Sequence, residues 1–507
     1  MRHLPLGWTQ CKVEELFDSF SGGTPSKSKP EYWSGDIPWV SSGGFNSDVI
    51  NEGTEFITAA GLENSSAKLC RPGSVIVVVR SGILKHTLPV ALIGSQLAIN
   101  QDIKAFDSGN DDLNRWLFLS LKHSAREILG LNREGTTVQS VKYETLKEHQ
   151  LAIPPLNEQR RILTLLEKLL TRVNAVQERL ATIPHILKRF RQSVLAAGCS
   201  GYLTADWREN NQQIGSTEGI LIGLIKRREI LWEKRLRIRA AKSSKANRKT
   251  TRYNPGFVPT DDNALDIPQT WTPATLSQLA LLDVGFAFKS SEFVKSGIRL
   301  LRGENIEPRA LRWQDVRYWP EDKLTGHDHL LVDEGEIVLA MDRPVISTGL
   351  KIARAKRTDL PCLLVQRVTR FKMVDPRMTD YVYYNLQLHR FIEGLSAGLT
   401  GSDLPHITGD GLARYTIGLP PSAEQKEIVR RVEALLKTAD ALEARYLKAK
   451  GHADKLTQSI LARAFRGELV PQDPRDEPAS VLLERVRQQR NGSSGPKVRS
   501  STKRSRR

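Results

Sequence analysis

The sequence predicts an α/β chain built as an internal tandem repeat: two similar globular modules, each followed by a long coiled-coil helix. Three observations predict it. The stretch Ile153 to Gly201 returns at Leu419 to Gly467. Pro154-Pro155, Glu158-Gln159, Gln192-Ser193 and Gly201 match Pro420-Pro421, Glu424-Gln425, Gln458-Ser459 and Gly467, each pair 266 residues apart. A period that long, with no gap, marks a duplicated module and not a solenoid. Next, Ile162, Leu166, Leu169, Val173, Val176, Leu180, Ile183, Leu187, Phe190 and Val194 are spaced alternately four and three apart. That is a coiled-coil seam. The second copy keeps it with Ile428, Val432, Leu435, Ala439, Leu442, Tyr446, Ala449, Ala453, Leu456 and Ile460. Two helices with matching seams can pack on each other; the alternative is that each lies on a globular core. Finally, the stretches before the two helices carry strand-like and helix-like segments in the same order.

Residues 1–152 form the first module. Pro5-Leu6-Gly7-Trp8 leads to a short helix around Lys12 to Phe17. The Gly-, Ser- and Pro-rich stretch FSGGTPSKSKPEYWSGDIPWVSSGG reads as structured loops holding Trp33 and Trp39. SVIVVVR (Ser74 to Arg80) is a buried strand by its β-branched run, and PVALIG and QDIKAF are further strands. A helix near Asp111 to Leu129, a turn at Glu134-Gly135-Thr136-Thr137 and a strand at Gln150 to Ile153 follow. The central long helix occupies 153–201, with Asn157 as its expected cap and Pro184 as an expected kink or break.

Residues 202–265 join the halves through a basic helix over Glu218 to Ala241 and the linker KSSKANRKTTRYNPG. The second module, 266–418, repeats the order. EGEIVLAM (Glu334 to Met341) matches Pro72 to Val79 at an offset of 262, and Gln366 falls near the place of Gln101. Tyr381 to Phe391 is the matching helix, and Gly401-Ser402-Asp403-Leu404 is the matching turn. The distal long helix, 419–467, opens with a Ser422–Gln425 capping box and has a weak point at Lys450-Gly451. Residues 468–507 supply an acidic-capped helix and a basic tail.

The net charge is +18. Residues 226–252 hold twelve Lys/Arg against two Glu, and residues 491–507 hold six Lys/Arg with no acid. These two segments account for +16 of the total. A polyanion is the natural partner, although basic tails are also often merely solvated. Any reading surface on the modules must then be a local patch balanced by acid elsewhere. No apolar run reaches the length of a membrane span. Met1-Arg2-His3-Leu4-Pro5 lacks the apolar core of a signal peptide. Cys11, Cys70, Cys199 and Cys362 have no C-x-x-C spacing, which suggests buried thiols in a reducing cytoplasm and no zinc site.

Catalytic signatures fail in turn. Phe20-Ser21-Gly22-Gly23 is a poor cofactor loop, and Met341-Asp342-Arg343-Pro344 lacks the second proline and the aromatic of an amino-methyltransferase. There is no phosphate-binding loop of an ATPase. Glu424-Gln425-Lys426 resembles a nuclease string, but its twin Glu158-Gln159-Arg160 shows both to be first-turn residues suited to the helix dipole. His327, Asp328 and His329 fit a polar loop better than a metal site. Recognition chemistry remains, because bases are read by Arg, Lys, Asn, Gln, Ser and Thr on exposed loops. The candidates are Ser41, Ser42, Arg80, Ser81, Lys85, Asn100, Gln101, Arg133, Thr136 and Thr137 in the first module. In the second they are Lys289, Arg302, Asn305, Arg343, Gln366, Arg367, Ser402 and His406. Each alone is an ordinary loop residue; their corresponding positions make the set.

LPLGWTQCKVEELF, SGGTPSKSKPEYWSGDIPWVSSG, IPPLNEQRRIL, LKRFRQSVLAAGCSGYLTADW, IPQTWTPATLSQLA, LPPSAEQKEIV and QSILARAFRGELVPQDP carry a resemblance over nearly the whole chain. The chain resembles the specificity subunit of Type I restriction–modification systems. The resemblance implies two α/β target-recognition domains joined by two long antiparallel helices, each domain reading one half of a bipartite double-stranded DNA site. It implies docking of two methyltransferase subunits and, with them, motor–nuclease subunits. S-adenosylmethionine, ATP and Mg²⁺ then belong to those partners, the modified base is adenine, and this chain is non-catalytic and binds no cofactor. About forty residues of helix span roughly 60 Å. Reading heads on one side of a duplex sit on the order of 34 Å apart, so the helices are long enough to act as a spacer. The rival readings are a degenerate methyltransferase and a coiled-coil adaptor that binds no DNA.

Overall fold

The computed structural model describes residues 4–131, 140–213, 215–242, 253, 255–260, 265–396 and 407–493. The chain forms two compact units, Met1–Ala181 with Leu447–Arg507, and Thr182–Tyr446. The first long helix is Leu156–Cys199 and the second Ser422–Phe465. Each unit therefore contains one part of each helix.

In the first unit, the opening strand Thr9–Lys12 pairs antiparallel with Gln150–Ile153, Thr9 opposite Ile153, and so delivers the chain into the first long helix. A five-stranded sheet has the order Asp18–Ser21, Ile103–Asp107, Val75–Val78, Val90–Ile93, Val49–Ile50. Val75 to Val78 are all buried, as a short continuous β-branched run predicts. A second sheet has the order Glu55–Ile57, Trp33–Val40, Leu97–Ile99, Leu69–Cys70. Trp33 and Trp39 thus sit on a strand and not in loops. The turn-like composition is absorbed by a bulge, where the register slips between Trp33 and Ile37 and Ser34 takes a φ of 61°. Helix Asp111–Gly130 starts where the Asn110 side chain accepts from Leu113 N–H at 3.1 Å. Its Trp116 meets Trp8 at 5.9 Å and Phe465 at 4.8 Å. The core joins these to Ile162, Leu166 and Val173, to Ile460 and Leu461, and to Ala479 and Leu483 of the terminal helix Ala479–Ser493.

The second unit repeats this plan. Thr272–Thr275 pairs antiparallel with Thr416–Leu419 ahead of the second long helix. One sheet has the order Ala280–Val284, Val368–Met373, Ile337–Ala340, Ile352–Arg354; another has Tyr318–Trp319, Ile298–Leu301, Cys362–Leu364. The helix expected over Tyr381 to Phe391 is two, Thr379–Asn385 and His389–Ser396. The break comes where Asn385 Nδ2 folds back onto the Tyr381 carbonyl at 3.0 Å and Leu388 N–H turns to Asn385 O. The core holds Val194 and Leu195, Ile428 and Val432, and Leu221 and Leu224 of the basic helix Glu218–Lys242.

The long helices depart from expectation in four ways. Pro184 lies inside the first without ending it, since proline costs the ladder one donor and the remaining bonds hold. The second runs through Lys450-Gly451 unbroken. Neither expected cap forms: both helices start directly after the second proline. Gln159 N–H donates to Pro155 O at 2.8 Å and Gln425 N–H to Pro421 O at 2.9 Å. Gln425 Nε2 reaches back to Pro420 O at 2.7 Å in place of a box with Ser422. Of the seam, Ile162, Leu166, Val173, Ile428, Val432 and Ile460 are buried, and Leu169, Leu180 and Leu435 are half-buried. Val176, Leu442 and Leu456 are about half exposed. Leu187, Ala439 and Ala453 are buried as well, although none of them belongs to a globular core. Each helix exits through a left-handed glycine, Gly201 at φ 79° and Gly467 at φ 70°, against Pro268 and Pro5 respectively.

Candidate nucleic-acid interface

Parallel pairing gathers the predicted reading residues at one edge of each module. In the first, Trp39 and Val40 run parallel to Ala98 and Ile99, so both strands end together. Ser41 and Ser42 follow one strand, Asn100 and Gln101 the other, and Asn100 N–H donates to Val40 O at 3.1 Å. Val79 N–H donates to Asp102 O at 2.8 Å, which brings Arg80, Ser81 and the short turn Gly82–Lys85 to the same edge. Val141 N–H then closes on Val79 O at 2.8 Å.

The second module repeats each of these bonds with other side chains. Leu300 and Leu301 run parallel to Leu363 and Leu364, and Val365 N–H donates to Leu301 O at 3.1 Å. Met341 N–H donates to Arg367 O at 2.8 Å, and Ile407 N–H to Met341 O at 3.0 Å. Arg302, Arg343, Gln366 and Arg367 come together on this edge. Gln366 N–H donates to Phe286 O at 2.9 Å, and Lys289 follows three residues after that phenylalanine. Gly22 and Gly285 occupy matching points where no Cβ fits: one would stand 1.9 Å from Ile99 O, the other 2.2 Å from Val365 O. Arg133, Thr136, Thr137, Ser402 and His406 lie outside the described residues.

The Type I restriction modification DNA specificity domain matches twice, over residues 5–185 and 268–450. The chain belongs to that specificity family. The Type I restriction enzyme EcoAI specificity subunit of Escherichia coli is 32% identical over 206 residues, 40% of this chain and 35% of that protein. The EcoDI specificity subunit of the same species is 29% identical over 386 residues, covering 72% of this chain and 74% of that protein. A solved chain, described as showing assembly and conformational transition of the type I R-M system, shares the fold at a TM-score of 0.61. It is 18% identical and covers 92% of this chain and 100% of that chain.

Within this specificity family member, the edge residues divide by what their side chains hold. Asn100 and Asn305 are buried. Asn100 Oδ1 accepts from Asp102 N–H at 3.1 Å; Asn305 Oδ1 accepts from Arg302 N–H at 3.1 Å while its Nδ2 donates to Arg312 O at 3.0 Å. Both side chains are spent on shaping their own turns. Arg302 is tied to Glu304 and the Asp315 carbonyl, and Arg367 pairs with Asp342 at 2.6 Å. Gln101 accepts from Thr24 and stays exposed. Among the described residues, Arg80, Lys85 and Arg343 are exposed and hold no ion pair. Two lysines escaped the sequence reading. Lys104 donates to Ser21 Oγ at 2.7 Å and stands 4.9 Å over the Tyr143 ring; burial lowers its pKa. Burial also lowers that of Lys351, which faces Glu304, Asp342 and Arg343. Their signal was a cation at the second position of one strand, Ile103–Asp107, and just before the start of another, Ile352–Arg354.

The second unit holds two buried charged clusters. Arg370 is almost fully buried and donates to Asp283 Oδ2 at 2.7 Å, Glu336 Oε2 at 3.2 Å and His329 O at 2.9 Å, while Arg235 of the basic helix also pairs with Asp283 at 2.6 Å. The matching register positions of the first module are Ala105 and Phe20, an apolar pair. At the helix starts, Glu424 is buried and accepts from Trp271 Nε1 at 2.8 Å, Thr204 Oγ1 at 2.7 Å and Arg208 Nη1 at 2.5 Å. Its twin Glu158 is equally buried, but neither its Oε1 nor the neighbouring Trp8 Nε1 completes a hydrogen bond among the described residues. Burial pushes the Glu158 carboxyl above the usual carboxylate range. The Glu-Gln pairs are therefore anchors between helix and module. His327 lies in an aromatic cluster, 4.8 Å from Phe286 and 5.2 Å from Phe288, and no group of metal ligands forms among the described residues. No described helix is long and apolar enough to cross a membrane.

Proposed function

We propose that this chain is the non-catalytic specificity subunit of a Type I restriction–modification complex. Module 1–152 reads one half of a bipartite site in double-stranded DNA and module 266–418 reads the other. Helical segments 153–201 and 419–467 set the spacing and dock two methyltransferase subunits, through which motor–nuclease subunits join. Segment 202–265 links the halves, and 468–507 closes the chain with its basic tail. S-adenosylmethionine, ATP and Mg²⁺ work on the partners, and adenine is the base methylated. The reading agrees with four buried, unpaired cysteines, which suit a reducing cytoplasm.

The observation that carries it is the repeated edge: the same backbone hydrogen bonds present Ser41, Arg80 and Gln101 in one module and Arg302, Arg343 and Gln366 in the other. One scaffold with two side-chain sets suits two different half-sites. The test is to replace residues 1–152 with those of a relative and map methylated adenines across a host genome. One half-site should change and the other stay; a change in both halves refutes the assignment.

A further inference from the structure

Each module has one connection at its edge that keeps its length and its anchors while changing everything else. In the first module, Val75–Val78 and Val90–Ile93 are antiparallel neighbours, and in the second Ile337–Ala340 and Ile352–Arg354 are. The connections run from 79 to 89 and from 341 to 351, eleven residues each. Both leave from the carbonyl that accepts the returning Val141 or Ile407 amide. Their sequences, VRSGILKHTLP and MDRPVISTGLK, differ at nearly every place. Their conformations differ too: the first holds a single turn, Gly82–Lys85, and the second a two-stranded ribbon, Val345–Ile346 against Gly349–Leu350, with Ser347-Thr348 at its tip.

The first connection turns Val79, Leu84 and Leu88 inward and the second Met341 and Leu350, while others point outward. Ile83 is 42% exposed, Val345 45% and Ile346 39%. Cations frame them: Arg80 and Lys85 in one, Arg343 and Lys351 in the other. The ribbon is also built in advance. Lys351 N–H donates to Pro344 O at 2.7 Å, Ala340 N–H donates to Lys351 O at 3.1 Å, and Gly349 rests near Pro308. An apolar tip with two hydroxyls, flanked by cations on a rigid ribbon, fits the major groove. The groove admits a two-stranded ribbon, its apolar feature is the thymine methyl, and its walls are phosphate.

We propose that the ribbon Met341–Lys351 is the base-reading element of the second module. Val345 and Ile346 lie against thymine methyl groups, Ser347 and Thr348 meet base edges, and Arg343 grips phosphate. Segment 79–89 plays the same part in the first module through Ile83. This rests on the specificity reading above and goes further by naming the element that reads.

The test uses the full chain assembled with methyltransferase subunits. The site is first mapped by genome methylation. Binding is then titrated with duplexes changed one base pair at a time, and with uracil replacing each thymine. Wild type should lose about fivefold or more at each specified pair. The variants V345A/I346A and S347A/T348A should lose discrimination at one or more pairs of the second half-site and leave the first half unchanged. V345A/I346A should also abolish a uracil-for-thymine penalty. Unchanged melting and subunit assembly exclude a folding defect. An unaltered discrimination profile in both variants overturns the proposal, as does a uniform affinity loss with the profile kept, or a change confined to the first half. Wild type that discriminates nowhere overturns the specificity reading itself, a separate result.

Discussion

The Glu424 and Glu158 anchors make opposite predictions from the same motif residue. Glu424→Gln removes the charge from a buried carboxylate that accepts three hydrogen bonds, one of them from Arg208. Taking away one member of a buried ion pair costs about 3–5 kcal/mol. The Arg208 side chain is partly exposed and can recover some water, so the lower end, about 3 kcal/mol, applies. At roughly 2–4 °C per kcal/mol for a unit of this size, the second unit should melt about 6–12 °C earlier. Glu158→Gln removes a buried charge that forms no ion pair among the described residues and is favoured only by Trp8 and Arg161 against the cost of burial, so the first unit should hold its stability or gain up to about 1 kcal/mol. The pH dependence follows the same cause. The folded unit keeps a proton on Glu158 that the unfolded chain releases near its ordinary value of 4.5. The first unit therefore loses stability as pH rises from there through the raised value, and Glu158→Gln removes that loss. Calorimetry of the full chain, wild type and both variants, from pH 4 upward, measures these terms. Equal shifts in the two variants, or a gap between wild type and Glu158→Gln that ignores pH, refute the reasoning.

Three further expectations follow from the helices and the edge. Arg80→Ala should weaken DNA binding across all sequences and reduce the salt slope by about one, read from titrations at several salt concentrations. Ile428→Ala should destabilise by about 2–5 kcal/mol and Val176→Ala by no more than about 0.5 kcal/mol in urea unfolding, because only the first side chain is buried. Deleting four residues from the seam of one long helix should change the gap between half-sites in a methylation map; an unchanged gap removes the spacer role.

Features encoded locally could be read from the chain. The exact offset of the helix motifs, the Val75–Val78 run and the Asp111–Gly130 helix each depend on a pattern within one segment. Features that depend on a distant partner could not. Strand Trp33–Val40 hides behind turn-like residues because its pairing tolerates a bulge. The break at Asn385 is made by a side chain returning to its own helix. Val176, Leu442 and Leu456 fit the seam period, yet burial is decided by what covers them. Asn100 and Asn305 have the chemistry of readers but are consumed by the turns they cap. The exchange of Phe20 and Ala105 for Asp283 and Arg370 is visible only once strand register is known.

The placement of Gly467 against Pro5, and of Ala479 and Leu483 in the core with Trp8, bears on how the chain emerges from the ribosome. The second unit is one continuous stretch, Thr182–Tyr446, and has all its core residues once that stretch is made. The first unit begins earlier but waits for Ile460, Leu461 and the terminal helix before its core is complete. Synthesis order and completion order are therefore reversed: the part translated first is finished last, with its apolar face open to chaperones in the interval.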